Sequence, residues 1–319
     1  MPIIPCRIDN FPKSLTGVSD HEIMDVSWAE ILWGAISVGK SGIFDMVKHG
    51  HFSYFEILYR AAIIFANLYE DENGHLRRSS AYDNLDPSEK AAISYFLGLT
   101  FTKIFSSNFL NVSWLMHLDV YRYSIRPILK GQSKPDLVGQ DESGNWVIME
   151  SKGRTNKFDS LALRKAKKQA VQVIKVSGSR PILHVGLQVH FDNGLLQLNA
   201  VDPKPENDKN KIELLISKKQ FFWEYYRRFY LLFNEAKNVK DFIWRGEYKV
   251  QMLNIHDVDI SVGLEKSLFD LNMPEVRKFR QLSDDNAFFG PDGIFIQVGS
   301  LWSKKNMRKQ PQNRSINLL

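Results

Sequence analysis

Two short apolar runs flank a polar turn between Ser133 and Arg154, and the second run ends in charge. Pro135-Asp136-Leu137-Val138-Gly139 leads into Gln140, and Asp141-Glu142-Ser143-Gly144-Asn145 has the composition of a tight turn. Trp146-Val147-Ile148-Met149 has the unbroken apolar character of a buried strand. A core strand would stop at a turn, but this one runs into Glu150-Ser151-Lys152-Gly153-Arg154. Residues two apart on a strand share a face, so Glu150 and Lys152 project together. A hairpin then returns Asp136, at the end of the partner run, beside Glu150.

Metal-assisted phosphodiester hydrolysis uses this set of groups. Two adjacent carboxylates form a hard oxygen site suited to Mg²⁺ or Mn²⁺. Such a cation polarises a phosphate and lowers the pKa of a bound water. A neighbouring lysine orients or deprotonates that water, or stabilises charge growing on the phosphate oxygens. Asp136 and Glu150 are therefore the candidate metal ligands, with the backbone carbonyl of Ser151 as a third. Lys152 joins Asp136 and Glu150 as the candidate catalytic group. The competing reading makes Asp136 a turn residue and Glu150 and Lys152 an exposed ion pair at a strand end.

Pro135-Asp136, a gap of fourteen positions to Glu150, and Glu150-Ser151-Lys152-Gly153-Arg154 resemble the PD-(D/E)xK signature of restriction-endonuclease-like nucleases. The resemblance covers roughly residues 86–200, about a third of the chain. It implies an α/β fold with a mixed β-sheet core flanked by helices. It also implies an endonuclease of cytoplasmic setting, cutting DNA rather than RNA, with a role in restriction or antiviral defence. Members often carry an acidic residue in a helix before the first strand. Around Gly98 this chain offers Thr100, Thr102 and Lys103 instead, so that role stays open, with Glu89 and Glu56 as remote candidates. A Gln or Lys from the helix after the signature sometimes lines the site, which directs attention to Gln169 and Gln172.

Charge points the same way. The chain carries a net charge of +6, and residues 150–180 hold nine basic side chains against two acidic ones, more than the whole surplus. A basic field beside the carboxylates suits a polyanion. Lys134, Arg154, Arg164, Lys165, Lys168 and Gln169 are the candidate nucleic-acid contacts; a merely solvated helix face is the alternative. Cys6 is the single cysteine, which excludes an intrachain disulfide and a Cys-rich zinc site. The N-terminus lacks the pattern of a signal peptide, and the most apolar window, around Ala61–Ala66, is too short to span a bilayer.

Along the chain, residues 1–85 read as an irregular lead-in followed by helices, at about Ser27, at Gly42–His49 and at Tyr54–Tyr69. Residues 75–85 read as a polar loop. Asp86-Pro87-Ser88-Glu89 is a helix start with a capping box. Residues 86–202 form the expected nuclease core, with a first strand over Trp114–Tyr121, a basic helix over Leu161–Val176, and a hairpin turned at Asn193-Gly194. A helix binder of nucleobases or a buried core helix are both open for the aromatic stretch Lys218–Lys237. That stretch opens an α+β region over 212–302. Pro291-Asp292-Gly293 reads as a turn, and 303–319 as a basic tail adding phosphate contacts. Gly34–Gly42 contains Gly-Lys-Ser without the spacing of a phosphate loop and reads as a helix end.

Three functions follow as expectations. The first is the nuclease; two cuts in a duplex would need two sites, as a homodimer or a partner protein subunit supplies. The second is a nucleic-acid-binding or partner-regulated module on the same fold, without cleavage of its own. The third is an unrelated enzyme whose basic surface has no affinity for nucleic acid.

Overall fold

A computed structural model describes residues 1–12, 20–38, 52–118, 134–202, 212–269 and 278–308. The chain opens on a strand, β1 (Ile3–Asp9), where an irregular lead-in was expected. Ile4, Cys6 and Ile8 alternate inward with the strand period of two. Pro5 sits one residue before the parallel ladder that β1 makes, which begins at Cys6, so its missing N–H lies at a ladder end. Strand β2 (His21–Asp25) pairs antiparallel with β1. The region 1–85 is thus not purely helical.

Helix α1 (Trp28–Ser37) starts where the sequence indicates: the Ser27 hydroxyl accepts the Glu30 N–H at 3.1 Å. All ten of its residues are buried. Helix α2 (Phe52–Asn67) also forms, but the stripe that periodicity marks (Phe55, Leu58, Tyr59, Ala62, Ile63, Ala66) is only partly inward: Ile63 is buried and Leu58 packs on the core. Phe55 and Tyr59 are exposed, while Ile57, Ala61 and Ile64 face the core. The segment expected as a helix at 42–49 lies outside the described residues. Where a polar loop was expected, β3 (Leu68–Glu70) pairs with β4 (Leu76–Arg78), and one helical turn follows, α3 (Ser80–Asp83). Helix α4 (Pro87–Leu110) carries the anticipated capping box: the Asp86 carboxylate accepts the Ser88 N–H at 2.7 Å and the Glu89 N–H at 3.3 Å, and Glu89 accepts the Asp86 N–H.

The central elements are β5 (Trp114–His117), β6 (Leu137–Gln140), β7 (Trp146–Gly153), α5 (Ser160–Ala170), β8 (Val173–Val176), β9 (Leu183–Asp192) and β10 (Leu195–Val201). The expected continuation of β5 to Tyr121, with Asp119, lies outside the described residues. Helix α5 stops at Ala170 instead of reaching Val176. Val171, Val173, Ile174 and Val176 are β-branched and leave the helix for a strand. Among the described residues the strand order is β2-β1-β10-β9-β7-β6-β5, with the β3–β4 hairpin attached to β10. β1 and β10, and β7 and β9, pair in parallel; the remaining neighbours are antiparallel. The fold is a mixed α/β arrangement with helices on both faces of a mixed sheet.

Beyond it, β11 (Ile212–Leu214) pairs with β8. Helix α6 (Lys218–Glu235) precedes a second, antiparallel sheet of β12 (Lys240–Trp244), β13 (Tyr248–Ile255), β14 (Ile260–Glu265), β15 (Leu282–Ser283), β16 (Ala287–Phe289) and β17 (Ile294–Val298). The aromatics of α6 are core: Phe221, Tyr225, Tyr226 and Phe229 are buried. Arg308, expected in a phosphate-binding tail, donates to the buried Glu70 carboxylate at 2.9 Å, and 309–319 lie outside the described residues. No described helix is long and apolar enough to cross a membrane.

Candidate active site

The β6–β7 hairpin sets the site by register. Leu137 pairs with Met149, and one step further Asp136 faces Glu150. The Asp136 N–H donates to Glu150 Oε2 at 2.8 Å, and the Ser151 N–H donates to Asp136 Oδ2 at 3.1 Å. The Lys152 ammonium contacts Glu150 Oε1. Asp136, Glu150 and Lys152 thus meet as the sequence spacing indicates. Their exposures differ: the Glu150 side chain is fully buried, whereas Lys152 is 28% exposed. Burial first, then the like charge of Asp136, pushes the Glu150 carboxyl up to about 8, against the pull of Lys152.

These residues suit a divalent cation. A buried carboxylate beside a second carboxylate is the pair that a positive charge relieves. In an extended strand a residue's N–H and C=O lie along the same edge. The Ser151 N–H points at Asp136, so the Ser151 carbonyl lies on that edge too. Among the described residues no three His, Cys, Asp or Glu side chains form a metal cluster. A cation here would rest on two carboxylates, one carbonyl and water, a set that Mg²⁺ accepts because it keeps several waters.

The strand beneath is held from the other face. Odd-numbered residues of β7 turn towards α4, where the Thr102 hydroxyl donates to Ser151 Oγ at 3.0 Å. Gly98 and Gly153 allow the contact. A Cβ on Gly98 would lie 2.9 Å from Gly153 N, and one on Gly153 would lie 1.7 Å from the Ser94 carbonyl oxygen. Gly98 therefore admits another element, as its position in the helix suggests. The open acidic role is not filled from α4, which turns Ser94, Gly98 and Thr102 to β7. Glu89 is an exposed cap, and Glu56 holds Arg60 at 2.8 Å.

Helix α5 covers the opposite face. The backbone of β9 admits it at Gly186, where a Cβ would lie 3.0 Å from Lys167 N. Gly186 pairs with Glu150, so α5 packs on the face that carries the carboxylates. Gln169 Nε2 donates to the Lys134 carbonyl at 3.2 Å, tying the helix to the approach to Asp136. Gln172 falls beyond the helix. Arg154 is bound to Asp159 at 2.5 Å, and Asp159 caps α5 by accepting the Leu161 and Ala162 N–H groups at 2.9 and 3.1 Å. Lys165 and Lys168 are exposed. Arg164 lies on the other flank of α5, in a cleft with Arg7 and Lys167, apart from Gln169.

One feature escaped the sequence reading. Gln188, opposite Lys152 on β9, clamps the start of α5: its side chain accepts the Asp159 N–H and donates to the Asp159 carbonyl, both at 2.8 Å. Its alternation with Gly186 on a strand otherwise rich in Val and Leu was the available signal. His117, at the end of β5, is buried and meets the Tyr95 hydroxyl at 2.8 Å, the place of a structural histidine. Comparison with protein-family models, curated proteins and solved structures finds no match for this chain.

Proposed function

We propose that the chain is a divalent-metal-dependent nuclease, with the restriction-endonuclease-like architecture that its signature resembles, acting on DNA. The observation that carries this reading is the buried Glu150 carboxylate, set between Asp136 and Lys152 at the end of one hairpin. A bound Mg²⁺ or Mn²⁺ would supply Lewis acidity to the phosphate and a more acidic water. Asp136, Glu150 and the Ser151 carbonyl are the groups that would hold it. Lys152, part-exposed beside Glu150, orients the attacking water and, as an ammonium, stabilises the charge growing on the phosphate oxygens, while the proton the water gives up passes to the leaving oxygen. The water oxygen bonds to phosphorus as the P–O ester bond breaks, and the leaving oxygen takes up a proton. Lys165, Lys168 and Lys134 supply positive charge for the backbone, which positions a strand without reading its sequence.

One observation favours a second reading. α4 brings Ser94, Gly98 and Thr102 to β7 and no acid, so the site is short of the extra carboxylate common in the resembled nucleases. A module that binds nucleic acid and cuts only with a partner would have this composition. Incubation of the protein with plasmid DNA, single-stranded DNA and RNA, in Mg²⁺, Mn²⁺ or EDTA, separates the two. Metal-dependent cutting of DNA supports the nuclease. Salt-sensitive binding without cutting in either metal supports the partner-regulated module.

A further inference from the structure

The sheet face that carries Glu150 is only partly covered. α5 lies over β7 and β9, and beyond it the same face turns polar. The register sets Gln188 opposite Asn199, Asn199 opposite Arg7, and Arg7 opposite His21. In the next row His190 faces Gln197. Over these rows lies a cleft of about 680 Å³, within the range of small-ligand pockets. A second cleft of about 320 Å³ shares Arg7, Phe158 and Asn199 with it and runs along α5.

The wall holds an unsatisfied group. His190 is 2% exposed and lines the larger cleft, yet its Nδ1 has no hydrogen-bond partner. Burial lowers the imidazole pKa, so at neutral pH the ring is uncharged and offers one donor and one acceptor.

The two ends of the cleft differ in charge. At the α5 end, Arg164 and Lys167 project with no ion-pair partner among the described residues, whereas Arg7 is held by Asp9 at 3.3 Å. At the wider end Lys157 is offset by Asp192 and Glu22, and the amide of Gln197 faces in. Phe158 stands where the ends join; it is 42% exposed, with its ring 5.8 Å from that of His190. A cationic end at Arg164 and Lys167, an aromatic plate at the junction and a far end lined by amides, where two carboxylates outnumber Lys157 and turn an anionic group away, form a sequence that one class of small molecule matches.

We propose that this cleft binds a free nucleoside phosphate, separate from the Glu150 centre. The phosphate meets Arg164 and Lys167, the base lies against Phe158, and Gln197 and Asn199 read its polar edge, with the His190 ring behind Phe158 as part of the wall. Amides suit the mixed donor and acceptor edges of a base, and an aromatic ring stacks on any of them. The site stands on its own residues, whatever the Glu150 centre cuts.

The test is calorimetric titration of the full chain with AMP, GMP, CMP and UMP in turn. Inorganic phosphate, adenosine and a short oligonucleotide are the comparison probes. EDTA is present throughout, so that no cation at Glu150 contributes. At least one monophosphate is expected to bind more tightly than phosphate or adenosine. The double variant Arg164→Ala/Lys167→Ala should weaken it by about tenfold or more, the loss of charge-assisted hydrogen bonds. Phe158→Ala should weaken it severalfold. All three residues lie at the cleft surface, and circular dichroism verifies that the variants fold. The proposal is overturned by absence of monophosphate binding, by binding indifferent to these variants, or by inorganic phosphate binding equally well. Binding of the oligonucleotide alone would overturn it too, making the cleft a strand surface.

Discussion

Gly153 has no space for a methyl group. A Cβ there would sit 1.7 Å from the Ser94 carbonyl, which is backbone and cannot swing aside. Gly153→Ala should therefore push α4 off β7 and destabilise the fold by roughly 3 kcal/mol, at the upper end of overpacking costs; urea titration measures it, and an unchanged midpoint would contradict the contact. The acid–lysine part of the site was legible at this scale. The turn at Asp141–Asn145 fixes the hairpin register, and the register alone sets Asp136 opposite Glu150. The cations were less legible, because spacing on a helix gives a face without saying what lies beside it. Arg164 and Gln169 both belong to α5, yet Arg164 lines the cleft with Arg7 and Gln169 reaches Lys134. Arg154 looked free and is committed to Asp159.

Among the elements, those with local signals stood out. Ser27 and Asp86 cap the helices that begin at Trp28 and Pro87. Elements that depend on distant partners did not. β1 pairs with β10, nearly two hundred residues away, and Pro5 within it masks the alternation of Ile4, Cys6 and Ile8. β8 was read as helix because Val173 and Ile174 fit a helical stripe, whereas β11 pairs with Val173, Lys175 and Val176. In α2 the stripe containing Phe55 and Tyr59 is as apolar as the one that is buried, so periodicity could not choose between them. α1 makes its own prediction. Glu30 is buried in its first turn, where Asn108 of α4 donates to it at 2.9 Å. Burial raises its carboxyl from 4.5 to about 7, against that hydrogen bond. Between those values the folded protein holds a proton that the unfolded chain has lost, so stability falls as pH rises through the window. The loss amounts to roughly 3 kcal/mol by pH 8. Glu30→Gln keeps the acceptor for Asn108 and should flatten this slope and raise stability at pH 8. Thermal melts from pH 5 to pH 8 test it; parallel curves for the two proteins would contradict it.

At the scale of the whole molecule, one buried carboxylate lies where the helices of the first sheet meet the second sheet. Asp292 was read from Pro291-Asp292-Gly293 as a turn residue, and it does lie in a turn, but its side chain is fully buried. It accepts from Trp33 Nε1 at 2.9 Å and the Tyr225 hydroxyl at 2.6 Å, and its carbonyl accepts the Tyr226 hydroxyl at 2.7 Å. The buried ammonium of Lys103 lies 3.7 Å from it. Asp292 thus ties α1, α4 and α6 to the second sheet, a junction assembled from residues up to 259 positions apart that no local pattern announces. Asp292→Asn leaves Lys103 without a counter-charge and should cost roughly 3–5 kcal/mol. Lys103→Met in the same protein should recover part of that loss, because the two sites are coupled. Additive losses in denaturant titrations would show that the pair is not the junction's energetic centre.

The chemistry at Glu150 is measured most directly by cleavage of DNA in Mn²⁺ by wild type, Glu150→Gln and Lys152→Ala, with DNA binding measured alongside. Wild type should cut, and both variants should lose cutting by at least about a hundredfold while still binding DNA. Cutting that persists in both variants would contradict the account and move the catalytic centre elsewhere in the molecule.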